Sequence, residues 1–274
     1  MQTRKKVIMI TGASTGIGKA TAIYFAEKGW QVAATMRTVK PENTFSHHPA
    51  IKKFQLDVTD NESIQKAIGD IINDLGIIDV LFNNAGYALA GAFEATKEEQ
   101  VRKQFETNLF GVMNVTRSIL PYFRKERSGI ILNTTSSGGI ITFPLYSIYN
   151  STKWALEGFM EALQFEVKQF NITIKNIEPA AVKSDFTHNI DFITDSNYEQ
   201  YSQVVQKNTL IGYRNAPGPE VVAKIVYKAA TDNKKKLRYA GTPQAKFIFF
   251  LRKLLPLSSF NKMMARMMEK PVSA

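Results

Sequence analysis

The chain has 274 residues, 44% of them hydrophobic, which is enough apolar surface to bury the core of one large domain. It contains no cysteine, which excludes disulfides, thiolate catalysis and cysteine-ligated metals and indicates a reducing, cytoplasmic location. The net charge of +11 is uneven, since residues 234–274 carry +9 and residues 1–233 only +2, and this distribution argues against a nucleic-acid-binding body.

Apolar runs with helical or strand-like spacing alternate along the first two thirds of the chain. Short apolar runs predict six strands, at 6–11, 31–37, 52–58, 78–86, 128–136 and 172–180. Amphipathic segments predict helices at 17–29, 61–76, 97–124 and 149–170. Continuous apolar strands separated by helices are typical of a parallel sheet covered on both faces. The pattern therefore predicts a single α/β domain of the doubly wound Rossmann type, followed by a C-terminal helical extension.

A glycine-rich turn follows the first predicted strand. Gly12 permits a tight turn, Gly16 leaves room for a pyrophosphate near the backbone, and Gly18 lets the next helix pack closely on the sheet. The N-terminus of that helix offers free N–H groups to phosphates. The alternative is a glycine-rich surface turn, which the flanking strand and helix disfavour.

The end of the second predicted strand bears on the choice of dinucleotide. An Asp or Glu commonly follows the glycines by about twenty residues when the cofactor lacks a 2′-phosphate. This strand ends instead in Thr35-Met36-Arg37, without an acid. Arg37, helped by Thr38 or Ser14, is suited to a 2′-phosphate, which favours NADP(H). NAD(H) and a merely solvated Arg37 stay open.

Tyr149 and Lys153 stand four residues apart, which places both on one face of a helix. A free phenol has a pKa of about 10, and a neighbouring ammonium, together with an oxidised nicotinamide, favours its phenolate form. Such a pair is common on ordinary helices, so its meaning depends on the other motifs.

Five motifs in one order resemble the short-chain dehydrogenase/reductase family. They are TGxxxGxG at 11–18, Asn83-Asn84-Ala85-Gly86, Asn108, Ser136 and the Tyr149/Lys153 pair, and the resemblance runs from about residue 6 to about residue 230. Ser136 precedes Tyr149 by the thirteen residues usual in the family, with Ser137 and Thr135 as competitors. The end of the second strand and the long basic tail also resemble the steroid- and retinol-type branch.

The resemblance implies an oxidoreductase that interconverts a carbonyl and a secondary alcohol. Tyr149 would be the general acid or base, Lys153 would tune it and hold the nicotinamide ribose, Ser136 would polarise the substrate oxygen, and Asn108 would continue a proton relay. The implied cofactor contacts are Gly12, Ser14, Thr15, Gly16, Ile17, Gly18, Arg37, Asp57, Val58, Asn84, Ala85, Gly86, Tyr149, Lys153, Pro179, Val182 and Ser184. After Pro179 an alanine replaces the family's glycine, and Ser184 stands at its threonine position. No metal site is expected.

Two segments concern the substrate and possible partners. The family places a substrate lid at about 183–213, and the nearby Phe143, Tyr146, Phe186 and Leu89 favour an apolar substrate, unless they only pack the lid. The basic, amphipathic extension 234–274 has three interpretations: a helix over the substrate mouth, a membrane-surface contact, or a subunit interface. The family implies a dimer or tetramer. A non-catalytic dinucleotide sensor is the alternative function, which the intact Tyr149/Lys153 pair disfavours.

Overall fold

The computed structural model describes residues 4–39 and 45–270. Its strands, in chain order, are β1 (Val7–Ile10), β2 (Gln31–Met36), β3 (Ile51–Gln55), β4 (Val80–Asn83), β5 (Ala88–Ala90), β6 (Gly129–Thr134), β7 (Ile172–Glu178), β8 (Ile190–Phe192) and β9 (Arg238–Ala240). Seven of them form one parallel sheet in the order β3-β2-β1-β4-β6-β7-β9. The other two, β5 and β8, pair in parallel as a small separate sheet.

Helices cover both faces of the large sheet. They are α1 (Gly16–Glu27), α2 (Asn61–Leu75), α3 (Glu98–Phe105), α4 (Gly111–Glu126), α5 (Ser147–Val167), α6 (Glu199–Arg214), α7 (Pro219–Thr231), α8 (Pro243–Leu254) and α9 (Leu257–Glu269). One core lies between the sheet and α2, α4 and α5, and the other lies between the sheet and α1 and α7. The prediction of a single-domain, doubly wound Rossmann-type fold with a C-terminal helical extension is confirmed.

The position of β1 between two cores explains why its sequence is continuously apolar. Val7 and Met9 face one core, whereas Ile8 and Ile10 face the other, and none of the four is more than 1% exposed. Successive side chains of a strand point to opposite faces, so a strand that is covered on both sides must be apolar at every position.

The order of the strands creates a crevice beside β1. This strand pairs with β2 on one side and with β4 on the other. Beyond β2 the sheet continues to β3, and beyond β4 it continues to β6, β7 and β9. Ligands of open α/β sheets bind at the carboxyl ends of the strands where the order reverses. The glycine turn between β1 and α1 lies at this place.

The structure adds a seventh strand, β9, to the six predicted for the sheet. It has only three residues and lies at the edge, where Arg238 and Ala240 remain half-buried, so it lacks an apolar run. It pairs with β7 from within segment 234–274, which therefore contributes to the sheet before forming α8 and α9. Residues 271–274 of that segment lie outside the described residues.

Candidate active site

The glycine turn brings two backbone segments together at the carboxyl edge of the sheet. Gly12 and Gly16 have positive φ angles, of 65° and 53°, which favour glycine. A Cβ atom on Gly12 would lie 2.8 Å from the Cα atom of Ala85, and one on Gly18 would collide with the carbonyl oxygen of Gly12. The three glycines thus leave the backbone of the turn free of side chains at these positions, beside the first amides of α1, and we call this turn the glycine cradle. Thr15, at the N-cap of α1, does not cap these amides with its side chain.

Asn84 holds the glycine turn in place. Its backbone N–H donates to the Thr11 hydroxyl at 2.9 Å, and its side-chain amide donates to the carbonyl oxygens of Thr11 and Gly12 at 3.2 and 3.1 Å. Its side-chain oxygen accepts from the Thr134 hydroxyl at 3.1 Å. This predicted cofactor contact therefore links β1, β4 and β6 through its side chain.

Ser136, Tyr149 and Lys153 converge at the ends of β6 and α5. The Lys153 ammonium donates to the carbonyl oxygen of Thr134 at 2.9 Å. The Ser136 hydroxyl lies near the Tyr149 phenol and lowers its pKa, and it accepts a hydrogen bond from the backbone N–H of Gly138 at 2.9 Å. A Cβ atom on Gly138 would lie 3.3 Å from the Tyr149 ring, so glycine leaves room for this contact.

The two other hydroxyls that compete with Ser136 have different surroundings. Thr135 donates its hydroxyl to the carbonyl oxygen of Ile177 at 3.1 Å, and its side chain is buried. Ser137 is also buried, and its backbone N–H donates to the Pro179 carbonyl at 2.8 Å. Of the three hydroxyls, Ser136 is the one that acts on the pKa of Tyr149.

Burial dominates the electrostatics of the Tyr149/Lys153 pair. Burial raises the pKa of Tyr149 to about 12, although the nearby Ser136 hydroxyl lowers it. Burial also lowers the pKa of Lys153 to about 8, although the nearby Glu157 carboxylate raises it. The Lys153 ammonium lies 5.8 Å from the centre of the Tyr149 ring. The lysine charge alone does not offset the desolvation of the phenol, so near neutral pH Tyr149 carries its proton.

Asn108 lies in a π-helical turn, Glu106–Phe110, that joins α3 to α4. Its side-chain amide donates to the Tyr87 carbonyl at 2.9 Å, and its side-chain oxygen accepts from the Tyr87 N–H at 3.2 Å. A Cβ atom on Gly86 would lie 3.1 Å from that oxygen and 4.0 Å from the Lys153 ammonium. Gly86 thus lies between Asn108 and Lys153. A π-helical turn inserts an extra residue into an α-helix, and such turns are frequent at functional sites.

The segment after β7 closes the crevice opposite the glycine turn. Ser184 begins a short 3₁₀ helix, and a Cβ atom on Gly16 would lie 3.6 Å from the Ser184 Cβ atom. Val182 is buried against the core shared with α1 and α7. The structure therefore brings Pro179, Val182 and Ser184 to the same edge as the predicted phosphate site.

The remaining predicted contacts follow the ends of β2 and β3. Arg37 is exposed directly after β2. Asp57 accepts from the backbone N–H and the hydroxyl of Thr59 at 2.9 and 2.7 Å, while the Asp60 side chain caps the N-terminus of α2. Val58 is buried and packs against Gly111. Because its side chain is buried, Val58 can contact a ligand only through its backbone.

Aromatic rings form one wall beside Tyr149. Its ring centre lies 6.1 Å from that of Tyr146 and 6.4 Å from that of Phe186, and Phe143 and Tyr213 extend the row. Of the four residues predicted at the pocket, Leu89 is the exception. It alternates along β5 with Ala88 and Ala90, and these two alanines, not Leu89, belong to the aromatic cluster.

Two buried polar features escape the sequence prediction. Gln104 donates to the Tyr87 carbonyl and accepts from the Leu89 N–H, one turn before Asn108. Asn83, Asn133 and Asn176 form a hydrogen-bonded row across β4, β6 and β7. Asn83 therefore faces the sheet interior and not the crevice. An asparagine within each of three apolar strands is the signal that could have revealed this row.

The asparagine row ends at Glu157, one helical turn after Lys153. Asn176 donates to its carboxylate at 2.9 Å, and Arg238 of β9 donates to the same oxygen at 3.0 Å. The Glu157 side chain is nearly inaccessible to solvent, and its carboxylate raises the pKa of Lys153. The row thus connects the sheet to the helix that carries the reactive pair.

Comparison with known proteins identifies the family. The family model described as "short chain dehydrogenase" matches residues 6–192. The chain belongs to the short-chain dehydrogenase family. As a member, it is similar to a 3-ketodihydrosphingosine reductase from Bacteroides thetaiotaomicron, with 35% identity over 248 residues that cover 89% of this chain and 90% of the relative.

Two solved structures support the same assignment. A short-chain dehydrogenase from Streptomyces avermitilis has a TM-score of 0.82 and 31% identity, and the match covers 96% of this chain and 98% of that one. ElxO with NADP bound has a TM-score of 0.72 and 29% identity, and covers 86% of this chain and 98% of its own. This short-chain dehydrogenase is therefore an oxidoreductase that uses a nicotinamide dinucleotide. Within residues 4–39 and 45–270, no helix combines the length and apolar character that crossing a membrane requires.

Proposed function

We propose that the protein is an NADP(H)-dependent oxidoreductase that interconverts a carbonyl and a secondary alcohol on an apolar substrate. The observation that carries this proposal is the convergence of Ser136, Tyr149 and Lys153 beside a glycine cradle. A phenol, a hydroxyl and an ammonium meet there at the carboxyl edge of the sheet.

The glycine cradle fits a dinucleotide. Side chains are absent where Gly12 and Gly18 approach neighbouring backbone, and Ser184 faces Gly16 across the crevice. Pyrophosphate would lie against the amides at the start of α1. When bound, the nicotinamide supplies or accepts the hydride. Residues after β3 and β4, namely Asp57, Val58, Ala85 and Gly86, would hold the adenosine half.

The reactive side chains divide the proton chemistry. Tyr149, which carries its proton near neutral pH, is the general acid that protonates the carbonyl oxygen during reduction. Ser136 donates a hydrogen bond to the same oxygen as negative charge develops on it. Lys153 holds the cofactor ribose, and its charge favours the phenolate that Tyr149 becomes after giving up its proton. Asn108, beyond Gly86, continues the relay from Lys153 toward solvent.

The preference for NADP(H) rests on Arg37. Arg37 is exposed and stands directly after β2, and the end of this strand has no acidic residue. A planar guanidinium can form two parallel hydrogen bonds with a phosphate dianion, whereas a carboxylate at this position would repel the phosphate. NADP in the structure of ElxO supports the same preference. NAD(H) is the alternative.

An apolar substrate is favoured by the aromatic wall beside Tyr149. Phe143, Tyr146, Phe186 and Tyr213 surround the phenol, and segment 183–213 supplies the last two as a lid. The similarity to a reductase named for a 3-keto sphingoid base points to a ketone on a long apolar chain. The steroid- and retinol-type branch stays a prediction.

Assembly and location extend the proposal. The family resemblance implies a dimer or tetramer built on α4 and α5, and Tyr122, Trp154 and Phe165 are exposed apolar side chains on these helices. The cysteine-free composition favours the cytoplasm.

A panel of ketones and secondary alcohols, assayed with NADPH, NADH and their oxidised forms, tests this function. Absorbance of the reduced nicotinamide reports turnover. The proposal expects turnover of long-chain apolar ketones with NADPH. Turnover with NADH alone would contradict the cofactor preference. Dinucleotide binding without turnover of any member of the panel would favour the non-catalytic sensor.

A further inference from the structure

We propose that the outward face of α8 and the start of α9 dock on an anionic lipid bilayer. This docking face consists of four apolar side chains and two lysines: Phe247, Phe250, Leu254, Leu257, Lys246 and Lys253. Each of the six is exposed.

The apolar residues of the docking face are arranged as one stripe. Phe247, Phe250 and Leu254 are spaced by three and four residues, so they lie on the same side of α8. Their exposed fractions are 62%, 61% and 66%, and Leu257, after Pro256, is 55% exposed. Solvent-facing helix positions are normally polar, and a contiguous apolar patch marks an interaction surface.

The opposite face of α8 already accounts for its attachment to the protein. Ala245 is buried, and Ile248, Leu251 and Leu255 pack with Ile141 and with the α9 residues Phe260 and Met264. The Arg252 guanidinium lies over the Phe260 ring at 5.7 Å. The fold therefore does not need the outward stripe for its own core.

Charge selects an anionic bilayer as the occupant. Lys246 and Lys253 flank one side of the stripe, and from Lys246 to Lys270 six Lys or Arg residues accompany one acid, Glu269. That acid accepts a hydrogen bond from Tyr201 at 2.8 Å. A second copy carries the same excess of positive charge, which disfavours symmetric pairing through this face. An interfacial helix on anionic lipid needs apolar side chains in the acyl region and lysines at the headgroups, which this face supplies.

The helices that carry the docking face pack beside the aromatic wall at Tyr149. Phe143 belongs both to the aromatic cluster around Tyr149 and to the cluster beneath α8 and α9. The end of α9 is tied to α6 of the lid, because Asn208 donates to the carbonyl oxygens of Met268 and Lys270, each at 2.8 Å. If the proposed function holds, docking would bring the bilayer to the helices that border both the aromatic wall and the lid, and so would favour an apolar ketone drawn from the lipid.

Co-flotation of the full-length protein with lipid vesicles tests the docking face, with neither cofactor nor turnover in the readout. Vesicles of phosphatidylcholine and phosphatidylglycerol in equal parts should bind it, and added salt should release it. Lys246→Gln with Lys253→Gln should weaken binding by roughly 30-fold. Phe250→Ser with Leu254→Ser should weaken it by at least about tenfold.

The matched control is Lys234→Gln with Lys235→Gln. It removes the same charge from exposed residues that precede β9, at the amino edge of the sheet, away from α8. Binding by this control should match the unmodified protein. The proposal is overturned by equal binding to pure phosphatidylcholine, by no binding to either vesicle, or by equal loss in the control. A dimer that dissociates in the Phe250/Leu254 variant would overturn it in favour of a second copy.

Discussion

The Lys153 ammonium donates a hydrogen bond of 2.9 Å to the carbonyl oxygen of Thr134, the last residue of β6. Ser136 follows Thr134 by two residues, and Tyr149 precedes Lys153 by one turn of α5. This single contact therefore ties the strand end that carries the serine to the helix that carries the tyrosine. Groups fixed in this way need little reorganisation when a substrate arrives.

Reduction should lose activity as the pH rises through about 8, because Lys153 then gives up its proton. The Glu157 carboxylate raises the pKa of Lys153, so Glu157→Gln should move this decline to lower pH. The pH profile of kcat/KM measures it. Glu161→Gln is the matched control, because Glu161 also pairs with Arg238 but lies one turn farther along α5 and is exposed. A decline that stays in place or moves upward in Glu157→Gln contradicts this role.

Arg37→Ala should weaken NADPH binding by about 10- to 100-fold and leave NADH binding nearly unchanged. The reason is the loss of charge-assisted hydrogen bonds to the 2′-phosphate, which NADH lacks. Dissociation constants from fluorescence titration measure both effects. Arg124→Ala, an exposed arginine in the last turn of α4, removes the same charge and should change neither constant. Equal weakening of the two cofactors by Arg37→Ala would remove the basis of the NADP preference.

Gly18→Ala should destabilise the protein and weaken dinucleotide binding, because the added methyl group would collide with the Gly12 carbonyl and lie 2.7 Å from the Asn84 side-chain nitrogen. We expect a loss of about 1–3 kcal/mol, as for other overpacked sites. Gly69→Ala in α2 is the control, since nothing lies within 4 Å of its new Cβ atom. That helical substitution should instead stabilise by about 0.5–1 kcal/mol. Denaturant unfolding distinguishes the two, and a neutral Gly18→Ala would show that the cradle is not tight.

Glu178 should make the protein less stable at alkaline pH. Burial, followed by the nearby Glu157 carboxylate, raises the pKa of Glu178 to about 8. The stability that a group with a raised pKa contributes is fully present below its unfolded pKa and is lost as the pH rises through its folded pKa. The stability that Glu178 contributes is therefore lost as the pH rises from its ordinary pKa of about 4.3 to its folded pKa.

Glu178→Gln should accordingly melt at nearly the same temperature as the unmodified protein near about pH 5 and several degrees higher near about pH 9. Thermal unfolding followed by circular dichroism measures both temperatures. Glu161→Gln, which changes an exposed carboxylate, should show no such divergence. A Glu178→Gln variant that melts lower at alkaline pH would mean that the carboxylate stabilises the fold through Arg238.

The elements that the sequence predicts well are those with long apolar periods. The six predicted strands and the helices α1, α2 and α5 occur where the pattern places them, because burial on two faces leaves a strong signal. Strands β5, β8 and β9 each have three residues and take their place from tertiary contacts, so no local pattern marks them. The asparagines of the row that ends at Glu157 are visible in the sequence as polar residues within apolar strands, but only the strand register shows that they meet.

Candidate site residues were predictable where a motif fixes their spacing. The proximity of Ser136, Tyr149 and Lys153 follows from a strand end and one helical turn, and the structure brings them together. Their electrostatics did not follow, since the pKa of Tyr149 depends on how deeply the fold buries the phenol, which spacing in the sequence does not reveal. The direction of the Leu89 side chain depends on β5, which the sequence does not reveal.

Tyr149→Phe tests the central claim most directly, because it removes one hydroxyl and keeps the ring within the aromatic cluster. Steady-state reduction of the best ketone and the dissociation constant for the nicotinamide dinucleotide are measured on the same preparation, with Tyr227→Phe on α7 as the matched control. We predict that turnover falls by about 100- to 10,000-fold while dinucleotide binding is kept, and that the control retains both. Turnover by Tyr149→Phe at the rate of the unmodified protein would contradict the account.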